Sequence, residues 1–208
     1  MDLQAFFKLS YGLYILGSAH GGKQNGCIVN ALAQVTAEPP KVAVAVHKQN
    51  LTTELIERSG VFNAVPLTED ATMELIGRFG FRSGREEDKY AGIAHAADKN
   101  GVWYPVLSVA ALFSFRVIDQ LDLGTHKLFV GEATEAVKLS DVPVMTYDHY
   151  YRVKKGETPP NAPSYKKVEG PQKGWRCTVC GYVYEGEELP PDFICPVCKK
   201  GVTYFEKL

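Results

Sequence analysis

Residues 174–208 read GWRCTVCGYVYEGEELPPDFICPVCKKGVTYFEKL, and their meaning turns on four positions. Cys177 and Cys180 form one Cys-x-x-Cys hook and Cys195 and Cys198 a second, with fourteen residues between them. Two such hooks can set four thiolates around one ion in a tetrahedron, which suits zinc or a single iron. Spacing alone leaves both open. The fifth cysteine, Cys27, makes the set odd, and the pattern points to metal rather than to disulfides. Cys27 itself is expected as a buried apolar filler.

Working back from this tail, residues 154–173 read KKGETPPNAPSYKKVEGPQK, rich in proline and lysine and nearly devoid of large aliphatic side chains. Such a stretch cannot bury enough surface to fold by itself. The chain therefore divides into a body at 1–153, a basic linker at 154–173 and a metal-binding tail at 174–208. Fully extended, a linker of that length reaches about 60 Å, enough for the tail to meet its own body or a neighbouring subunit.

The 208 residues carry a formal net charge of only −1, so no whole-chain field favours nucleic acid or an anionic membrane as a partner. The start, Met1-Asp2-Leu3-Gln4, lacks the positive leader of a signal peptide, and the longest uncharged apolar run, Val102 to Phe115, is too short to span a bilayer. A cytoplasmic protein is expected.

Within the body, Lys41 to His47 (KVAVAVH) follows the Pro39-Pro40 break and reads as a short buried strand; Tyr11 to Leu16 and Leu128 to Val130 look similar. Thr52 to Ser59 and Asp70 to Phe79 show helical spacing behind the capping candidates Asn50 or Thr52 and Thr68. Many strands and few short helices predict a mainly β, barrel-like body. The run VAVAVHKQNLTTELI (residues 42–56) carries a strand through a polar turn into a helix, and such a helix start beside Lys48, Thr52 and Thr53 would seat a phosphate. No two glycines are separated by one residue, so a Rossmann fingerprint is absent.

Two resemblances sharpen this reading. Cys177-Thr178-Val179-Cys180-Gly181-Tyr182 and Cys195-Pro196-Val197-Cys198 resemble the knuckles of rubredoxin, with Trp175, Phe193, Tyr204 and Phe205 as its aromatic core; that resemblance implies one iron on four cysteines. Lys199 stands where the family has glycine. The body's Asn25-Gly26-Cys27-Ile28-Val29-Asn30-Ala31, Gln34 to Pro40, His47 to Thr52 and Gly80 to Arg85 are similar to successive motifs of the flavin reductase-like family, which implies an FMN-binding split β-barrel, commonly a homodimer. Thr125, before His126, stands where many members have aspartate.

The resemblance implies that Asn25, Gly26, Cys27, Ile28, Val29, Asn30 and Ala31 line the isoalloxazine. Thr36 and the turn Lys48, Gln49, Asn50, Leu51 and Thr52 would face the ribityl chain and phosphate. Ser83, Arg85 and Lys89 would close over the flavin or meet the nucleotide's phosphates, and His126 would touch flavin or nicotinamide. NADH or NADPH delivers two electrons whereas one iron accepts one, so FMN is the converter between them. Body plus tail together resemble the NADH:rubredoxin oxidoreductases of anaerobic bacteria, which implies a flavodiiron protein reducing nitric oxide or oxygen as electron acceptor. Two other readings stay open: a reductase for free flavin or ferric iron with an auxiliary rubredoxin, and a flavin-binding module with a structural zinc ribbon.

Overall fold

The computed structural model describes residues 1–153 and 174–208. The expected linker, 154–173, lies outside the described residues.

β-rich segments joined by tight turns build one seven-stranded antiparallel sheet. Its strands are β1 (Tyr14–His20), β2 (Lys23–Val29), β3 (Leu32–Ala37), β4 (Pro40–His47), β5 (Val61–Pro66), β8 (Ala111–Asp122) and β9 (His126–Lys138), in the order β2-β1-β5-β8-β9-β4-β3. Its two edges, β2 and β3, are consecutive in the chain with only Asn30 and Ala31 between them, so the sheet curls until its ends adjoin. Register shifts at Ser114/Phe115 and Val117/Asp119 bend the long β8–β9 hairpin into that curve. The body is mainly β with three α-helices, a split barrel. A small pair, β6 (His95–Ala97) and β7 (Trp103–Pro105), stands beside it.

Side chains alternate across the sheet, so neighbours in sequence enter different cores. On β1, Leu16 joins Val44, Val46, Ile56, Phe62, Phe115 and Phe129 inside the curl, while Ile15 joins Val65, Leu67, Ile76, Phe79 and Tyr90 on the other face. Phe62 stacks on Phe115 at 4.9 Å, and full burial of each such ring contributes about 2–3 kcal/mol.

Helix α1 (Leu51–Ser59) starts at the N-cap Asn50, whose side chain makes no capping bond. Helix α2 (Met73–Phe81) starts later than the sequence suggests: Thr72 is its cap, accepting from the Leu75 amide at 3.2 Å, because the Thr68 hydroxyl is engaged by Asp70. The first strand likewise begins at Tyr14 rather than Tyr11. His95 is an exposed strand residue whose ring lies 4.3 Å from Trp103. Helix α3 (Tyr147–Arg152) closes the body. No helix among the described residues is long and apolar enough to cross a membrane.

The tail forms a three-stranded sheet, β11 (Val183–Tyr184), β10 (Trp175–Cys177) and β12 (Phe205–Lys207). Its two knuckles repeat one another. The amides of Cys177 and Cys195 donate to the carbonyls of Tyr182 and Lys200, and those of Gly181 and Lys199 donate back to Cys177 and Cys195, all at 2.8 to 2.9 Å. Gly181 and Lys199 occupy the same left-handed place, with φ of 83° and 61°. Of the expected aromatic core, Phe193 and Phe205 pack edge to face at 5.4 Å, joined by Tyr182 and Tyr184. Tyr204 is instead exposed beneath Lys200, and Trp175 lies half-buried under Lys207, since both sit at the rim of this small sheet.

Candidate functional site

The repeated knuckles bring four buried thiols to one point. Cys177 and Cys198 sulfurs are 3.5 Å apart, as are those of Cys180 and Cys195, and all four lie within 4.8 Å of one another. A tetrahedral ion with metal–sulfur bonds of about 2.3 Å needs sulfur–sulfur edges of roughly 3.8 Å, so the donor set fits a tetrahedral ion. The contact between the two inner sulfurs holds the Cys195 thiol well below its ordinary range and pushes Cys180 above it, a pooled negative charge that a cation neutralises.

A second concavity, about 340 Å³, opens where the sheet's ends adjoin. One wall is β2, from Asn25 to Asn30; another is the turn Gln49–Leu51 at the start of α1; a third is the end of α2 with Phe81, Arg82, Ser83 and Gly84. His47 and His126, opposite each other on β4 and β9, stand edge to face at 5.0 Å on the rim. Burial, and then the neighbouring His47, hold the His126 imidazole below its usual range. The volume and mixed walls suit a flat heteroaromatic ligand. So does an orphan: Arg82 Nε is buried without a hydrogen-bond partner, a donor that an incoming acceptor would satisfy.

The tail forms part of this cleft. Val179, between the first two cysteines, is on its wall. Phe81, only 8% exposed, packs with the four cysteines in one cluster, so a single ring lines the cleft and touches the metal centre.

Comparison with known proteins matches this two-part geometry. Residues 6–154 match the flavin reductase like domain, and 175–206 match the rubredoxin-like domain of rubrerythrin. The chain belongs to the flavin reductase-like family. Over 229 aligned residues it is 36% identical to the high molecular weight rubredoxin of Moorella thermoacetica, covering 100% of both chains. It is 42% identical over 165 residues to the ferric-chelate reductase (NAD(P)H) of Archaeoglobus fulgidus, covering 79% of this chain and 98% of that one. The solved FMN-binding protein of Thermus thermophilus with bound p-hydroxybenzaldehyde shares the fold at 22% identity and a TM-score of 0.61, over 67% of this chain and 82% of that one. A flavin reductase-like oxidoreductase body is thus fused to a rubredoxin-like centre, an arrangement for flavin-mediated electron transfer. Its cofactors are a flavin and one iron, and NAD(P)H as reductant is consistent with both.

Within this flavin reductase-like body the structure gathers Asn25, Cys27, Ile28, Val29, Asn30, Gln49, Asn50, Leu51, Ser83, Lys89 and His126 on the cleft. Other expected positions lie elsewhere. Gly26 faces the Phe79 ring, and Ala31 sits past the corner, its carbonyl taken by the Ala45 amide. Thr36 is exposed on β3 and donates to the Pro39 carbonyl at 2.5 Å. Lys48 is drawn 2.7 Å from Asp122, and Arg85 turns out to Glu54 at 2.8 Å, because each cation finds a carboxylate outside the cleft. The hydroxyls expected to seat a phosphate are used internally: Thr52 accepts from Asn25 Nδ2, and Thr53 donates to the His47 carbonyl, both at 2.8 Å.

Lys89 reaches the cleft but is only 4% exposed, and it donates to the carbonyls of Gly26 and Phe79 at 3.0 and 3.1 Å. Burial lowers its pKa to about 8, with Cys27 and Glu87 opposing. It is an internal tie between β2 and α2 more than a phosphate clamp. Cys27 is buried as expected, its thiol pushed up by burial, yet it also lines the cleft. Arg82, Phe81, His47 and Val179 were not singled out as site residues by sequence reasoning. Arg82 and His47 carried a signal, the one as the first cation of the Gly80–Arg85 motif and the other as the start of the His47–Thr52 motif.

Proposed function

We propose that the protein is an NAD(P)H:rubredoxin-type oxidoreductase: NAD(P)H gives up a hydride in the cleft of the body, and the four-cysteine centre passes single electrons to a partner such as a flavodiiron nitric oxide or oxygen reductase. The observation that carries this reading is Phe81, which lines the cleft on one side and packs against the cysteine cluster on the other. When bound, FMN supplies the conversion between a two-electron donor and a one-electron acceptor.

The chain's residues supply placement and exclusion of water. Asn25 and Asn30 offer amides at the cleft wall, the former fixed by Thr52. Arg82 offers its buried Nε, and Lys89 sets a buried positive charge beside β2, where it favours electron density arriving in the cleft. His126, whose imidazole burial and then His47 hold below its usual range, is suited to contact an uncharged ring edge. We take Asn25, Cys27 to Asn30, Gln49 to Leu51, Ser83 and Lys89 as the FMN set, the four tail cysteines as the iron ligands and a homodimer as the assembly. The family's habit supports the homodimer, and the run from Ala33 to Ala37, exposed along edge strand β3, leaves a surface for it.

A second reading has its own support, the 42% identical ferric-chelate reductase that matches most of the body. One experiment decides between the two. Iron and FMN are assayed in the purified protein, and NADH is then added anaerobically while both chromophores are followed, with and without residues 174–208. Bleaching of flavin and iron, with transfer to protein acceptors lost on tail deletion, supports the oxidoreductase. Unchanged rates toward every acceptor after deletion assign the tail an auxiliary role, and zinc on the cysteines ends the electron path altogether.

A further inference from the structure

The tail is seated on the body by the same edge that holds its metal. Val179, from the first knuckle, is on the cleft wall. Val197, from the second, lays its carbonyl over α2 at Gly77, where a Cβ would stand 2.6 Å from that oxygen. Lys200, next to the second knuckle, pairs with Glu86 at 2.7 Å. Both knuckles and their flanking lysine are thus committed to one surface made of Gly77, Phe81 and Glu86. The tail's carboxylates at 185, 187, 188 and 192 are exposed.

Val179 and Val197, each lying between two of the cysteines, pack directly against the four-thiolate cluster, so the knuckle edge offers an electron a short way out of it. Here that edge is covered by the chain's own body. We propose that the Val179–Val197–Lys200 face serves two clients in turn: docked, it meets α2 and Glu86 of its own chain; released, it receives a one-electron acceptor protein presenting an apolar spot beside a carboxylate, and the two dockings exclude one another. This rests on the electron path proposed above. In the docked position the iron held by the four cysteines would take one electron from the flavin that NAD(P)H has reduced, passing from ferric to ferrous; in the released position the acceptor would take that electron and return the iron to ferric.

The ion pair makes the docked state trappable. A carbodiimide condenses a paired carboxylate and amine to an amide with loss of water. Applied to the full chain with iron and flavin in place, it is expected to give a Glu86–Lys200 amide in the monomer band, mapped by mass spectrometry. Gly77→Ala places a better helix former on α2 but sets its Cβ against the Val197 carbonyl, so the amide yield falls in that variant. In treated wild type, anaerobic NADH still bleaches the iron, whereas reduction of cytochrome c, the probe acceptor, is lost. Lys200→Arg keeps the pair but cannot form the amide, so treatment leaves its rate at its own untreated level.

Absence of the amide in wild type, its persistence in Gly77→Ala, its appearance only between two chains, or undiminished cytochrome c reduction after cross-linking would each overturn the proposal. Failure of NADH to bleach iron in untreated protein overturns the electron path instead, and the cross-link pattern, read without any donor, still tests the docking.

Discussion

Thr52 of α1 holds Asn25 of β2 through a 2.8 Å hydrogen bond with both side chains out of water. The pair fixes the cleft's β2 wall to the helix start at its base. Thr52→Val keeps the shape and removes the acceptor, stranding a buried amide at a cost of about 1–3 kcal/mol. Urea denaturation should show that loss together with weaker FMN binding, while Thr52→Ser should recover most of both. A Thr52→Val protein as stable as the parent would mean that Asn25 finds another partner.

Gly84 lies against the Asn25 carboxamide so closely that any Cβ there would overlap it. Gly84→Ala should therefore displace Asn25 and weaken FMN binding by about tenfold, near 1.4 kcal/mol. Because the cost arises from one contact, Asn25→Ala with Gly84→Ala should lose less than the two singles added together. Fluorescence titration of flavin against the four proteins measures the coupling, and strict additivity would refute it.

Lys89 predicts a pH signature. Its folded pKa is lowered from 10.5 to about 8 by burial. Below about 8 folded and unfolded chains both hold the proton and the burial cost is fully felt. Between about 8 and 10.5 the unfolded chain still holds a proton that the folded chain has released, so stability rises with pH, by up to about 3 kcal/mol. Relative to Lys89→Met, the wild type should gain stability across that window and show no relative change between pH 6 and about 7. Parallel urea titrations read the difference, and a flat difference would show that Lys89 keeps its ordinary proton affinity.

At the second knuckle, Lys199 carries a side chain at φ 61°, in the place that Gly181 fills in the first. Left-handed backbone costs a side-chain-bearing residue about 1 kcal/mol. Lys199→Gly should slow loss of iron to a chelator on heating, and Gly181→Lys should hasten it. If neither rate moves, the two turns are not equivalent in energy.

Much of this was legible in the chain because the signals were local. The cysteine hooks fix the knuckles within four residues each, and the Lys199 turn follows from one absent glycine. The stretch from Val42 to Ile56 reads as strand, turn and helix because alternation gives way there to helical spacing. Thr68 was mistaken for the cap of α2 because a threonine facing Asp70 looks like one at Thr72; only the fold shows which hydroxyl meets a free amide. Arg85 and Lys48 were expected in the cleft because a cation near a motif invites an anion, but Glu54 and Asp122, distant in sequence, claim them first. Val179 and Phe81 were beyond reach, since nothing near either one announces that a knuckle will settle on α2 across a hundred residues.

The meeting of the sheet's edges has a consequence for how such a protein can change. Leu67 donates to the Leu13 carbonyl, and the alternation this sets along β1 turns the peptide groups of Gly26 and Ile28 away from their partner strand, toward the open side. Lys89 already answers one of them, the Gly26 carbonyl. Whatever lies in the opening meets main chain there, and main chain is the same for every residue except proline. Side chains along this strand are thus free to drift over generations while the grip on the ligand is inherited intact, so divergent descendants can look unrelated in sequence and still hold the same molecule.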